Sequence, residues 1–221
     1  MKKLFLRKSH GFSLQKRLLP FVTFWLTLVC VSMSAQTGLT KIYSASDLHF
    51  FSPSLLINDG VSFQTYLAQD RKLIAESKAI TEALVKKVKE EKPEIFLVTG
   101  DLTKDGEKIS HQELAKYLDS IEMNGVTKVY VIPGNHDVNN VDAYSYDGNN
   151  KTKVDSVSPA DFKTIYQHFG YDEAVATDPA SLSYLAKPKS NLWILAIDVC
   201  EYDSNMVYHK PVTAGRFKHE T

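Results

Sequence analysis

The sequence predicts an α/β fold, a mixed β-sheet sandwich flanked by helices. Three observations lead there. Short apolar runs of strand length alternate with segments whose apolar residues recur at helical spacing. Their order, strand–helix–strand–helix–strand, implies parallel pairing through right-handed crossovers. No internal repeat, low-complexity tract or composition shift divides the chain beyond its N-terminal segment. At 221 residues and 43% hydrophobic, the chain can bury a sizeable core in one domain.

Thr40–Ser46 is a short, partly apolar first strand that ends at Asp47. Phe50–Asp70 reads as irregular, with Pro53 and the turn signal Asn58-Asp59-Gly60. Asp70–Lys92 reads as a helix, because Leu73, Ile74, Ile80, Leu84, Val85 and Val88 share one face and Pro93 stops it. Ile95–Thr99 is a continuous apolar run suited to a strand buried on both faces, and it leads into Gly100-Asp101. Glu107–Asn124 is a second helix, with Leu114, Leu118 and Ile121 in phase and Gly125 as its stop. Thr127–Ile132 is a third strand, followed by Pro133-Gly134-Asn135-His136-Asp137. A polar, turn-rich span (138–157) then precedes a helical segment around Pro159–Phe169. Ser181–Lys187 and Asn191–Val199 read as two strands joined around Pro188, able to pair as a hairpin and make the sheet mixed.

Residues 1–35 form a targeting pattern. Lys2, Lys3, Arg7, Lys8, Lys16 and Arg17 precede the apolar run Leu18–Val31, and small residues Ser32, Ser34 and Ala35 follow. That order is a secretory signal peptide cleaved near Ala35. An uncleaved membrane anchor competes, but the run falls short of the ~20 residues a spanning helix needs; lipidation at Cys30 is disfavoured by the bulky Val29 before it. The expected mature domain is 36–221, exported to the periplasm or outside the cell if the source is bacterial, with no membrane association after cleavage. Without the six N-terminal cations, 20 Lys and Arg face 26 Asp and Glu, a net charge of about −6. An acidic body is a poor polyanion binder, so bulk nucleic-acid binding is not expected. Removal of Cys30 leaves Cys200 without a disulfide partner. Cys200 follows an apolar run and reads as a small buried hydrophobe.

Three clusters of chemistry-bearing residues sit just after three predicted strands: Asp47-Leu48-His49, Gly100-Asp101 and Gly134-Asn135-His136-Asp137. Ligands bind open α/β sheets at the carboxyl ends of the strands, so the three clusters converge on one crevice. In extended chain, residues two apart point the same way, which lets Asp47 and His49 address one ion. The donors are oxygen and imidazole nitrogen without thiolate, suited to Mn, Fe, Zn or Co. A carboxylate such as Asp101 can bridge two cations that activate a water. His136 can donate a proton to a leaving oxygen, with Asp137 fixing its tautomer. Each cluster alone is ordinary turn chemistry; three at successive strand ends are hard to explain that way.

These residues resemble the calcineurin-like metallophosphoesterase family. The resemblance rests on Asp47-x-His49, Gly100-Asp101-Leu102-Thr103 and Gly134-Asn135-His136-Asp137, spans roughly Ile42 to Val199, and is nearest the branch with bacterial cyclic-nucleotide phosphodiesterase-like proteins. It implies two mixed sheets flanked by helices and two divalent metal ions. Asp47 and His49 would hold the first, Asp101 would bridge, Asn135 would hold the second, and His136 with Asp137 as partner would assist the leaving group. The implied partner is a phosphate mono- or diester. The family completes its site with later histidines, including a Gly-His-x-His pair, and this chain has no such motif. His168, His209 and His219 fall in the wrong contexts to replace it. The sequence therefore reads as the N-terminal part of the domain, C-terminally truncated, with apolar faces left uncovered. Its alternative function is a truncated or non-catalytic metal-binding module with half a site. A third possibility, a generic sugar- or nucleotide-binding protein, lacks a phosphate-loop or dinucleotide fingerprint. Phe50, Phe51, Phe63 and Tyr66 either cover a substrate or, more in keeping with their character, pack onto the sheet.

Overall fold

Strand β1 (Ile42–Ala45) pairs in parallel with β3 (Ile95–Thr99), and β3 pairs in parallel with β4 (Lys128–Ile132). This is seen in a computed structural model of the chain, which describes residues 39–218. The chain divides after Leu39 into two units, and everything below concerns the second. The expected signal segment, Cys30 and His219 lie outside the described residues. Among the described residues, no helix is long and apolar enough to cross a membrane.

The parallel register runs Ile42↔Ile95 through Ala45↔Val98 and Ile95↔Lys128 through Thr99↔Ile132, so all three strands end at the same level. Central β3 buries Ile95, Phe96 and Val98, as its unbroken apolar run predicts. Two crossover helices pack on this sheet. Helix α2 (Ser77–Glu91) contributes Val85 and Val88, and α3 (Lys108–Glu122) contributes Leu114, Leu118 and Ile121. Helix α2 ends at left-handed Lys92, just before Pro93. Helix α4 (Pro159–Ile165) opens on a capping box, in which the Ser158 hydroxyl accepts from the Asp161 N–H while the Asp161 carboxylate accepts from the Ser158 N–H.

Two further sheets differ from the sequence reading. The "irregular" stretch after Asp47 holds a short 3₁₀ turn (Pro53–Leu55), strand β2 (Leu56–Asn58) and helix α1 (Val61–Gln69). The polar span contains a hairpin, β5 (Tyr144–Asp147) and β6 (Asn150–Lys153), whose strand β5 pairs in parallel with β2. These pieces close around a satellite core of Phe51, Leu55, Phe63, Ile74 and Tyr146. Local pattern missed them because these elements are short and the strands find partners some 90 positions away, as Leu56 does with Tyr146. The predicted long helix is also too long: residues 70–76 are a loop, in which Ile74 is buried and Leu73 is 65% exposed.

The third sheet is antiparallel, β7 (Ala174–Thr177), β8 (Tyr184–Lys189) and β9 (Leu192–Ala196). The expected hairpin of the last two strands is present, but as part of this separate sheet. Pro188 lies inside β8, where the register shifts, rather than at the turn. Tyr184 ties the sheet to β4 through a hydrogen bond from its hydroxyl to the Val131 carbonyl at 2.9 Å. Trp193, Leu195 and Ile197 are exposed at alternating positions along β9 and just beyond it, on one apolar face. The fold class thus stands: an α/β unit of parallel and mixed sheets flanked by helices.

Candidate metal centre

The three post-strand loops continue the parallel ladder beyond the strands themselves. The Asp47 N–H donates to the Gly100 carbonyl at 3.0 Å, the His49 N–H to Asp101 at 2.9 Å, the Phe50 N–H to Leu102 at 2.9 Å, and the Gly100 N–H to Ile132 at 3.0 Å. Asp47, His49 and Asp101 all sit in the left-handed region, with φ of 56°, 44° and 48°. That conformation costs a non-glycine residue on the order of 1–3 kcal/mol and concentrates at functional sites. Asp47 and His49 therefore come together by left-handed turns and not by the extended i, i+2 geometry expected of them. Gly134 serves by close approach: a Cβ there would lie 2.2 Å from both the Asp101 nitrogen and its Oδ1.

One ligand atom from each of Asp47, His49 and Asp101 falls within 4.8 Å of the others. Asp47 is 65% exposed at its side chain, against 13% for His49 and 16% for Asp101. The residues fit a divalent ion: His49 Nε2 lies 3.9 Å from both Asp47 Oδ1 and Asp101 Oδ2, and the buried Asn135 Nδ2 has no hydrogen-bond partner. A side-chain amide with an unpaired end is free to turn its oxygen to a cation. Asn135 is held beside Asp101, since the next residue, His136, donates its N–H to Asp101 Oδ1 at 3.0 Å. Burial, and then the charge of Lys72, lower the His49 pKa and favour the neutral ring a metal requires.

His136 lies against this cluster, its ring edge-on to His49 with centroids 5.3 Å apart. Its Nδ1 is 2.8 Å from Asp105 Oδ1. Burial opposes a charge on the ring, but the bond to Asp105 and the field of Asp101 outweigh it and raise the pKa. Asp105 is nearly buried, yet His136 and Lys104 hold its carboxyl below the usual range.

Asp137 does not play the part expected of it. Its fully buried carboxylate turns away from the His136 ring and accepts from the N–H groups of Leu102 (3.0 Å), Thr103 (2.9 Å) and Gly134 (2.8 Å), and from the Thr103 hydroxyl (3.2 Å). Burial, and then Asp101 nearby, push the carboxyl up to about 7, while the backbone donors pull the other way. Asp137 pins the second and third loops together; the ring's partner is Asp105.

Sequence reasoning missed four residues here. Asp105 stands four positions past Asp101 in the same loop, before Gly106, and that spacing was its only signal. Lys104 is completely buried, 2.5 Å from Asp105 Oδ2 and 3.2 Å from Glu107 Oε1, with Tyr66's ring 4.4 Å away. His111 is buried on α3, touching the Thr103 hydroxyl and the Asp137 carbonyl at 3.0 Å each and the Tyr166 hydroxyl at 2.9 Å. Burial pushes its pKa down to about 3, so it is a neutral brace. Lys72, in the loop between α1 and α2, reaches His136 from outside the three motifs.

His168 and His209 are not part of the Asp47–His49–Asp101 group. His168 is 72% exposed and pairs with Asp172, and His209 is exposed in the left-handed position that ends α5 (Tyr202–Tyr208). Phe50, Phe51 and Phe63 are core residues, while Tyr66 faces a cleft of about 300 Å³ beside His136. Cys200 is a free thiol, pushed up to about 12 by burial and therefore unreactive.

Carboxylates and one imidazole gathered at the carboxyl end of a parallel sheet, with a carboxylate-bound histidine alongside, form a donor group of the kind that holds a divalent ion in an α/β protein. The match to the family model named calcineurin-like phosphoesterase covers residues 40–198, and the chain belongs to that family. The family implies metal-dependent hydrolysis of phosphate esters. A comparison with curated proteins found no match.

Proposed function

We propose that this chain hydrolyses phosphate mono- or diesters with two divalent ions of the Mn, Fe, Zn or Co type. The observation that carries the reading is the Asp47–His49–Asp101 cluster with His136 bound to it through Asp101. Asp47 and His49 would hold the first ion, Asp101 would bridge, and Asn135 would reach the second. When bound, such ions supply Lewis-acid activation and neutralise phosphoryl charge. Water adds to phosphorus, the ester P–O bond breaks, and the proton released by the water passes to solvent. His136, oriented at Nδ1 by Asp105, delivers a proton from Nε2 to the leaving oxygen. Asp137 and His111 hold the loops that carry these groups.

The test is to load the chain with each metal and assay 4-nitrophenyl phosphate and bis(4-nitrophenyl) phosphate, beside Asp101→Ala. Metal-dependent turnover abolished by the substitution supports the reading; turnover indifferent to it removes the reading. A second reading, a metal-binding module with half a site, draws on the single histidine in the cluster among the described residues. It predicts metal uptake with no turnover of either ester. We also propose export, from the basic, apolar, small-residue order of residues 1–35; an exported product still carrying Met1 would end the cleavage proposal.

A further inference from the structure

Lys72 is held in place by its own loop. Its N–H donates to Asp70 Oδ1 at 3.0 Å, and Asp70 Oδ2 accepts from the Tyr66 hydroxyl at 2.8 Å. The side chain is only 18% exposed, and its ammonium lies 3.3 Å from Nδ1 and 3.4 Å from Nε2 of His136. The nearest carboxylate oxygen, on Asp70, is 3.8 Å away, beyond hydrogen-bond reach. Asp105 already engages Nδ1 of the ring, so Lys72 does not have that nitrogen to itself. Compact ammonium groups are strongly hydrated, and the Lys72 ammonium has only the His136 ring nitrogens within hydrogen-bond distance among the described residues, which leaves donor capacity for an acceptor that arrives with the ligand. The position is also right for one. Lys72 and His136 share the wall of the 300 Å³ cleft with Tyr66, Tyr144 and Tyr146, and His136 joins that cleft to the Asp47–His49–Asp101 cluster.

We propose that Lys72 grips a non-bridging oxygen of the substrate's phosphoryl group beside His136, whose Nε2 stays with the leaving oxygen, and that the tyrosine-walled cleft beyond takes the leaving group. The ligand is a tetrahedral phosphate, as ester or as product. This deepens the proposed function and rests on it. Asp70 and Tyr66 are then positioning residues, acting through Lys72.

The experiment uses the metal-loaded full chain, with inorganic phosphate as probe. Wild type, Lys72→Ala, Lys72→Met and Lys72→Arg are compared for phosphate affinity by calorimetry, for kcat and KM on 4-nitrophenyl phosphate, and for bound metal. Loss of the ammonium is expected to weaken phosphate about tenfold or more, the scale of one charge-assisted hydrogen bond, and to lower kcat/KM at least as much. Bound metal should stay at the wild-type level, and Lys72→Arg should recover part of the affinity. Lys72→Met keeps the buried stem and decides the matter if the alanine variant does not fold. Wild-type turnover together with unaltered phosphate affinity in Lys72→Met overturns the Lys72 contact and leaves the hydrolase reading standing. Phosphate binding that depends on Lys72 without any turnover supports the contact and removes the hydrolase reading. A wild type with neither phosphate binding nor turnover overturns both.

Discussion

The Nδ1 of His136 and the Oδ1 of Asp105 are 2.8 Å apart, although 31 residues and a whole helix separate them in the chain. That bond leaves Nε2, 3.4 Å from the Lys72 ammonium, as the nitrogen not engaged by a carboxylate and fixes its direction. His136→Asn is expected to lower kcat about 10²–10⁴-fold, the usual range for a lost general acid. Asp105→Asn should follow in the same direction by a smaller factor. The loss should be greater for an alkyl phosphate than for 4-nitrophenyl phosphate, whose leaving group needs no proton. Equal losses on both substrates would argue against proton donation.

Asp101→Asn isolates the charge at the centre, because asparagine tolerates the left-handed backbone that Asp101 adopts (φ 48°). Divalent-ion affinity should fall at least tenfold, while the fold persists. Bound metal measured by elemental analysis after dialysis checks this; wild-type retention would dismiss Asp101 as a ligand.

Gly134→Ala and Gly125→Ala test two different roles of glycine. A Cβ at Gly134 meets the Asp101 backbone and carboxylate, so overpacking should cost roughly 1–3 kcal/mol and disturb metal binding. At Gly125 nothing lies within 4 Å, and only the φ of +69° resists, at roughly 1–2 kcal/mol with metal affinity unchanged. Urea unfolding with parallel metal titration separates the two.

Lys104 neutralises Asp105 and Glu107 where all three are buried. Lys104→Met is expected to destabilise by roughly 3–5 kcal/mol, because two carboxylates lose their counter-charge. Chemical denaturation at neutral pH measures it. A variant as stable as wild type would mean that Glu107, whose carboxyl burial pushes upward, is already protonated.

His111 makes the fold sensitive to acid. Its pKa is about 3 when folded, against an ordinary 6.5 when unfolded. Between those values the unfolded chain binds the extra proton, so stability falls as pH drops below 6.5, by about 1.4 kcal/mol per unit for this one group. His111→Gln should be less stable than wild type at pH 7, through imperfect bonds to Thr103, Asp137 and Tyr166, and the gap should narrow toward pH 4. A gap constant with pH would mean that His111 charges without penalty.

The parallel sheet and its two crossover helices were legible because their cores are written in local periodicity: the run Ile95–Thr99, the in-phase leucines of α3, and Pro93 and Gly125 as stops. The candidate metal ligands were legible for a related reason. Strand ends are recognisable, parallel strands align their ends, and residues there meet whatever lies between. Asp47, His49, Asp101, Asn135 and His136 therefore converge from one-dimensional information plus a topological rule. Their neighbours were not legible in that way. Asp137 and Asp105 look interchangeable in sequence, and only the packed loops decide that Asp137 takes the backbone donors while Asp105 takes the His136 ring. Lys72 comes from a loop that periodicity assigned to a helix, and the lobe of α1, β2 and the β5–β6 hairpin is held by contacts far apart in sequence. Side-chain charge and type are properties of the chain itself; which carboxylate meets which ring depends on distances set only when separate elements pack together, because hydrogen bonds and desolvation act over a few ångströms and carry no memory of sequence order.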